Sequence, residues 1–126
     1  MKEVIQSINA PAPIGPYSQA IATNGMLFVS GQIPIDQSTG NIINGSIVEE
    51  THQVMKNIGH ILKEAGLSYR NVVKTSIFVK NMSDFGSINE TYGEYFEGDP
   101  PARETVEVSQ LPKGVNVEIS CIAVLG

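Results

Sequence analysis

Between Ser46 and Gly66, residues recur at the spacing of a single helix face: Ile47, Thr51, Val54, Met55, Ile58, Ile61, Leu62 and Ala65. Ser46 and Glu49 stand at capping-box spacing ahead of this pattern, and Gly66 follows it where a helix C-terminus favours a left-handed residue. A helix with one apolar face must lay that face on another element. The flanking sequence supplies short runs of β-branched and aromatic residues, so the helix is expected to pack on a sheet.

The strands are expected as follows. The first runs from Glu3 to Ile8, before a rigid loop from Asn9 to Pro16 that holds three prolines and a glycine. Tyr17 to Thr23 and Met26 to Gly31 flank Asn24-Gly25, the pair a type I′ hairpin turn requires. A polar loop from Pro34 to Gly45 leads to the helix. Val72 to Lys80 reads as a strand, and Ser83-Asp84 as the cap of a second helix carrying Phe85, Ile88, Tyr92 and Phe96. Gly98 and Pro100-Pro101 end it, and Ala102 to Val108 and Val115 to Val124 complete the set. The order is βββαβαββ, one α+β domain over residues 1–126.

Two helices cover one face of such a sheet. Yet Leu27, Phe28 and Val29 are apolar on both sides of their strand, as are Ile119, Cys121, Ile122, Ala123, Val124 and Leu125. A sheet wetted on one side alternates apolar with polar. The uncovered face is therefore expected to pack against other subunits.

One cysteine, Cys121, excludes an internal disulfide and suits a reducing compartment. No apolar run is long enough to cross a bilayer, so a cytoplasmic protein without membrane contact is expected. The formal net charge of −5, with scattered Lys and Arg, disfavours nucleic acid as a partner. No His, Cys or Asp cluster has metal-ligand spacing and no Gly-rich phosphate loop is present, so neither metal nor cofactor is expected. His52 and His60 fall off the apolar face of the first helix and read as solvated; Cys121 reads as an inert core thiol.

The chemistry-bearing residues gather near the C-terminus. If the last two strands form a hairpin centred between Leu111 and Pro112, Thr105 lies opposite Glu118 and Arg103 opposite Ser120, all on one face. Arginine grips a carboxylate through two parallel hydrogen bonds, and a glutamate beside it can aim a water at an electrophilic carbon. The same pair also reads as a plain cross-strand ion pair.

Four ordered blocks carry a resemblance that spans nearly the whole chain. They are APAPIGPYSQA (Ala10 to Ala20), FVSGQIP (Phe28 to Pro34), VVKTSIFVKNMSDFGSINETY (Val72 to Tyr92) and PPARETVEVSQLPKGVNVEI (Pro100 to Ile119). In these the chain resembles the reactive-intermediate deaminase (RidA/YjgF) family. The resemblance implies a bacillus-type chorismate-mutase-like fold and a homotrimer with sites in the clefts between subunits. It also implies hydrolysis of 2-iminobutanoate and 2-iminopropanoate to 2-keto acids and ammonia. The family's carboxylate-binding arginine falls on Arg103 and its water-positioning glutamate on Glu118. Its substrate pocket falls on Tyr17, Ser30, Gly31 and Asn89, with the backbone at Thr105 holding the imine nitrogen. Where the family usually has Ser-Cys after the arginine, this chain has Glu104-Thr105. By strand alternation Glu104 should point away from Arg103. The alternative implied by the same pocket is a non-catalytic keto-acid-binding regulator. Some relatives are ribonucleases, a reading that the acidic balance opposes.

Overall fold

A computed structural model describes residues 1–126. The elements are β1 (Glu3–Ile5), β2 (Ala20–Thr23), β3 (Met26–Gln32), β4 (Ile35–Asp36), β5 (Asn41–Ile42), α1 (Ile47–Glu64), β6 (Val72–Val79), α2 (Phe85–Gly93), β7 (Ala102–Glu107) and β8 (Val117–Val124). Six strands form one sheet in the order β1-β2-β3-β8-β6-β7, and β4 pairs with β5 as a separate hairpin. The expected α+β class holds, with both helices on one side of the sheet.

Local signals act as expected at several points. Ser46 Oγ accepts the Glu49 amide at 3.1 Å, capping α1. At the other end Gly66 takes φ +76°, and Leu67 N–H donates to Leu62 O at 2.8 Å, the Schellman closure. Asn24 and Gly25 both have positive φ in the β2–β3 turn.

Three expectations are corrected. β1 ends at Ile5 and β2 starts at Ala20, because the buried Gln19 side chain takes over as the partner of Ser7. Its Oε1 accepts Ser7 N–H at 2.7 Å and its Nε2 donates to Ser7 O at 3.1 Å. The polar loop contains the β4–β5 hairpin, tied to α1 by Asn57 Nδ2 donating to Ile33 O and Ile35 O at 3.1 and 3.0 Å. Most consequentially, β7 and β8 do not form a hairpin. β7 runs parallel to β6 after a crossover through α2, and β8 enters between β3 and β6, antiparallel to both. β7 leaves Glu104 exposed on one face and Glu107 on the other at the strand's end, which suits an edge strand, whereas β8 buries every second residue from Val117 to Ala123.

Val117, Ile119, Cys121 and Ala123 face the helices and are at most 4% exposed. They meet Leu27, Val54, Ile58 and Ile77 in one core cluster, where each fully buried aliphatic side chain contributes roughly 1.5–3 kcal/mol. On the opposite side the sheet carries Val4, Phe28, Val106 and Val124, exposed at 55, 42, 41 and 38%. The apolar content of both faces is thus a property of the fold. No helix is long and apolar enough to cross a membrane.

Candidate active site

Arg103 projects from β7 on the helix-covered side, beside its cross-strand neighbour Thr75 of β6. Phe85, Asn89 and Tyr92 recur at helical spacing on α2 and converge on it. The guanidinium carbon lies 5.5 Å from the Phe85 ring centre and 5.3 Å from that of Tyr92. Arg103 Nη1 donates to Asn89 Oδ1. No carboxylate pairs with this guanidinium, since the one salt bridge in the chain joins Lys74 to Glu104 at 3.1 Å. A cavity of about 470 Å³ opens beside it, lined by Asn89, Tyr92, Gly93, Pro100 and Pro101. An arginine held only by neutral groups keeps its full charge for an anion.

Glu118 projects from β8 into a second cavity of about 550 Å³ with Tyr17, Ser30, Gly31, Ile33, Pro112 and Lys113. Its carboxyl group is half-buried, and loss of water raises its pKa above the usual carboxylate range. A β-bulge shapes the wall opposite. Val29 pairs with Cys121 while Gln32 pairs with Ile119, leaving one extra residue at Ser30-Gly31. A Cβ on Gly31 would overlap Glu118 Oε2, so only glycine leaves room for the carboxylate as placed. Ser30 Oγ donates to Ser18 O at 2.6 Å, fastening the loop that presents Tyr17. Tyr17 is 54% exposed.

These two groups do not share a face, as the expected hairpin required. β6 lies between β7 and β8. It pairs Thr75 with Arg103 on one side, and Phe78 with Glu118 on the other. Thr75 is buried against the helices, whereas Phe78 belongs to the opposite face. Arg103 and Thr105 therefore lie on the helix side of the sheet, and Glu118 and Ser120 on the uncovered side. The plain ion-pair reading fails for the same reason. The chain thus carries two separate groupings: Arg103 with Asn89, and Glu118 with Tyr17, Ser30 and Gly31.

Thr105 Oγ1 is buried without a hydrogen-bond partner. Glu104 points to the uncovered face, as alternation requires. There Ser76 Oγ donates to it and Lys74 pairs with it, holding its carboxyl below the usual range. Cys121 is buried and its thiol is pushed up to about 12, as an inert core thiol should be. His60 is exposed, but His52 is half-buried, its Nδ1 2.7 Å from Tyr95 Oη, which corrects the solvated reading. No three His, Cys, Asp or Glu side chains assemble as a metal site needs.

Sequence reasoning missed several supports. Buried Glu50 accepts Asn116 N–H at 3.0 Å and Asn116 Nδ2 at 2.7 Å, fixing the entry to β8 just before Glu118. Lys113 reaches the rim on a turn where its own φ is +57°. The cage around Arg103 had a readable signal, the spacing of Phe85, Asn89 and Tyr92; Glu50 had none beyond lying on a helix.

Comparison with known proteins follows the same outline. A family described as Endoribonuclease L-PSP matches residues 7–125. A 2-iminobutanoate/2-iminopropanoate deaminase of Mus musculus is 48% identical over 126 residues, covering 100% of this chain and 93% of that protein. A RutC family protein of Pyrococcus horikoshii is 54% identical, covering 98% of each. Among solved structures, a Rid-family protein of unknown function from Yersinia pestis superposes with a TM-score of 0.97 at 50% identity, covering 99% of this chain and 100% of that one. TdcF of E. coli with bound serine superposes at 0.94 and 36% identity, covering 98% of this chain and 99% of that one.

Proposed function

The chain belongs to the endoribonuclease L-PSP family, the RidA/YjgF group with its chorismate-mutase-like fold, and from that premise we propose that it is a deaminase of small 2-imino acids. It hydrolyses 2-iminobutanoate and 2-iminopropanoate to 2-keto acids and ammonia. The ribonuclease reading is disfavoured by a net charge of −5.

The observation that carries the proposal is the guanidinium of Arg103, walled by Phe85 and Tyr92 and free of any carboxylate. It suits a ligand carboxylate. Glu118, with its raised pKa, suits a general base working nearer neutral pH than an ordinary glutamate. Because the two lie on opposite faces of one sheet, we assign the complete site to a cleft between subunits of a homotrimer. One subunit supplies Arg103 and Asn89, and its neighbour supplies Glu118, Tyr17 and the Ser30-Gly31 bulge. The apolar uncovered face, with Phe28, Val106 and Val124, supports that assembly. The free buried Cys121 suits a reducing, cytoplasmic setting.

In the cleft Arg103 clamps the substrate carboxylate and backbone groups at Thr105 hold the imine nitrogen. Glu118 takes a proton from the attacking water as the water oxygen bonds to C2, and the C=N electrons move to nitrogen. The proton held by Glu118 passes to that nitrogen; the hydroxyl proton of the tetrahedral adduct then follows as C=O forms and C–N breaks, releasing ammonia and leaving the keto acid. The step is a hydrolysis of an already electrophilic carbon, and these residues supply the binding, orientation and proton transfer.

A threonine dehydratase coupled to this protein tests the reading by keto-acid appearance above the uncatalysed rate. Acceleration that is lost with Arg103→Ala, together with keto-acid binding, is expected. Glu118→Gln should impair turnover far more than binding. Keto-acid binding without any acceleration would instead favour the non-catalytic regulator.

A further inference from the structure

We propose that Tyr92, tied to Thr75 and aided by Phe85, is a positioning residue that fixes the aim of the Arg103 guanidinium and thereby sets affinity for the substrate carboxylate. The inference rests on the reading of Arg103 as the carboxylate clamp and adds Thr75, and a positioning role for the aromatic wall, which that reading does not assign. Arg103 carries a long, flexible side chain at a sheet edge, where it would ordinarily sample many rotamers. Here the guanidinium carbon lies 5.5 and 5.3 Å from two ring centres, and Nη1 is bonded to Asn89 Oδ1. All three partners are neutral. They restrain the group as a carboxylate would, without cancelling its charge.

The Tyr92 ring is itself fixed. Tyr92 is 4% exposed, and its hydroxyl lies 2.7 Å from Oγ1 of Thr75, which is 1% exposed. Thr75 is also the residue that pairs with Arg103 across the β6–β7 ladder. The three residues therefore close a ring: strand pairing joins Thr75 to Arg103, a hydrogen bond joins Thr75 to Tyr92, and the aromatic face returns to Arg103. Tilting of the Tyr92 ring, which would release the guanidinium, requires that buried hydrogen bond to break. A ligand then meets a cation already ordered, and the ordering cost avoided corresponds to about three- to tenfold in affinity.

The test uses the intact protein with Tyr92→Phe, Tyr92→Leu and Thr75→Val. Two quantities are read: side-chain 15N relaxation of Arg103 without ligand, and the Kd for 2-oxobutanoate by calorimetry, with KM and kcat alongside. Tyr92→Leu should loosen Arg103 and raise Kd and KM by about tenfold, with kcat changed by less than about threefold. Tyr92→Phe, which keeps the ring but loses the hydrogen bond to Thr75, should match Thr75→Val: Arg103 loosened and Kd raised by about threefold, less than in Tyr92→Leu. Unchanged Arg103 order and Kd in folded Tyr92→Leu would overturn the proposal, as would a fall in kcat at constant KM. Should Tyr92→Leu fail to fold, Thr75→Val keeps both shapes and must still loosen Arg103; an unmoved Arg103 there overturns it equally. A wild type with rigid Arg103 that binds no keto acid would refute the carboxylate clamp itself, so the two failures are told apart.

Discussion

Gly31 and Glu118 occupy one space: a Cβ added at Gly31 would overlap the Glu118 carboxylate. The obstacle is the end of a flexible side chain, so the protein can yield by swinging the carboxylate aside. Gly31→Ala should therefore cost less than about 1 kcal/mol of stability. Turnover should fall by about a hundredfold, because the base is displaced from its water. Thermal melts and the coupled imine assay check the two halves. A large loss of stability with normal kcat in the remaining folded protein would mean that the carboxylate stays put and the backbone moves.

The raised pKa of Glu118 gives opposite signs for stability and activity. Burial disfavours its charged form, so the native carboxyl titrates above the unfolded one. Its contribution to stability is full below the unfolded value and is lost as pH rises through the native value. Activity runs the other way, since the base must be ionised. The acid limb of kcat/KM should lie above the ordinary glutamate range, and Glu118→Gln should flatten both profiles. An acid limb at the ordinary glutamate pKa, or one that persists in Glu118→Gln, would assign the titration elsewhere.

Thr105 presents a buried hydroxyl with no partner. An unsatisfied hydroxyl costs about 1–3 kcal/mol, so Thr105→Val should leave the unliganded protein equally or more stable by about 1 kcal/mol in denaturant unfolding. Imine hydrolysis needs no thiol, and threonine and cysteine are close in size. Thr105→Cys should change its rate by less than about tenfold, or about 1.4 kcal/mol in the barrier. A wild type inactive on every small imine but rescued by Thr105→Cys would show that the thiol is required.

How far the sequence could be read depended on how local each determinant is. α1 was legible because its periodicity, Ser46 cap and Gly66 stop all lie within the segment they govern. The Asn24-Gly25 turn was legible for the same reason. Arg103 and Glu118 were identifiable by residue type and by family blocks, but their mutual placement was not. Strand order is set by pairing across long stretches of chain, and β8 pairs with β3 and β6 rather than with the strand before it. Alternation fixed which residues of each strand share a face, yet it could not say that β6 would come between β7 and β8. The Thr75–Tyr92 hydrogen bond and the Glu50–Asn116 contacts join elements distant in sequence and leave no local mark.

The central claim, that Arg103 of one subunit works with Glu118 of another, is tested most directly by mixing two inactive variants. Arg103→Ala and Glu118→Gln are unfolded together at equal amounts and reassembled, with mixed oligomers verified by native mass spectrometry. In a cyclic trimer, random mixing leaves about a quarter of the clefts with both native residues. Activity should return to about a quarter of the wild-type value. Verified mixed trimers with no recovery above the separate variants would contradict a site shared between subunits.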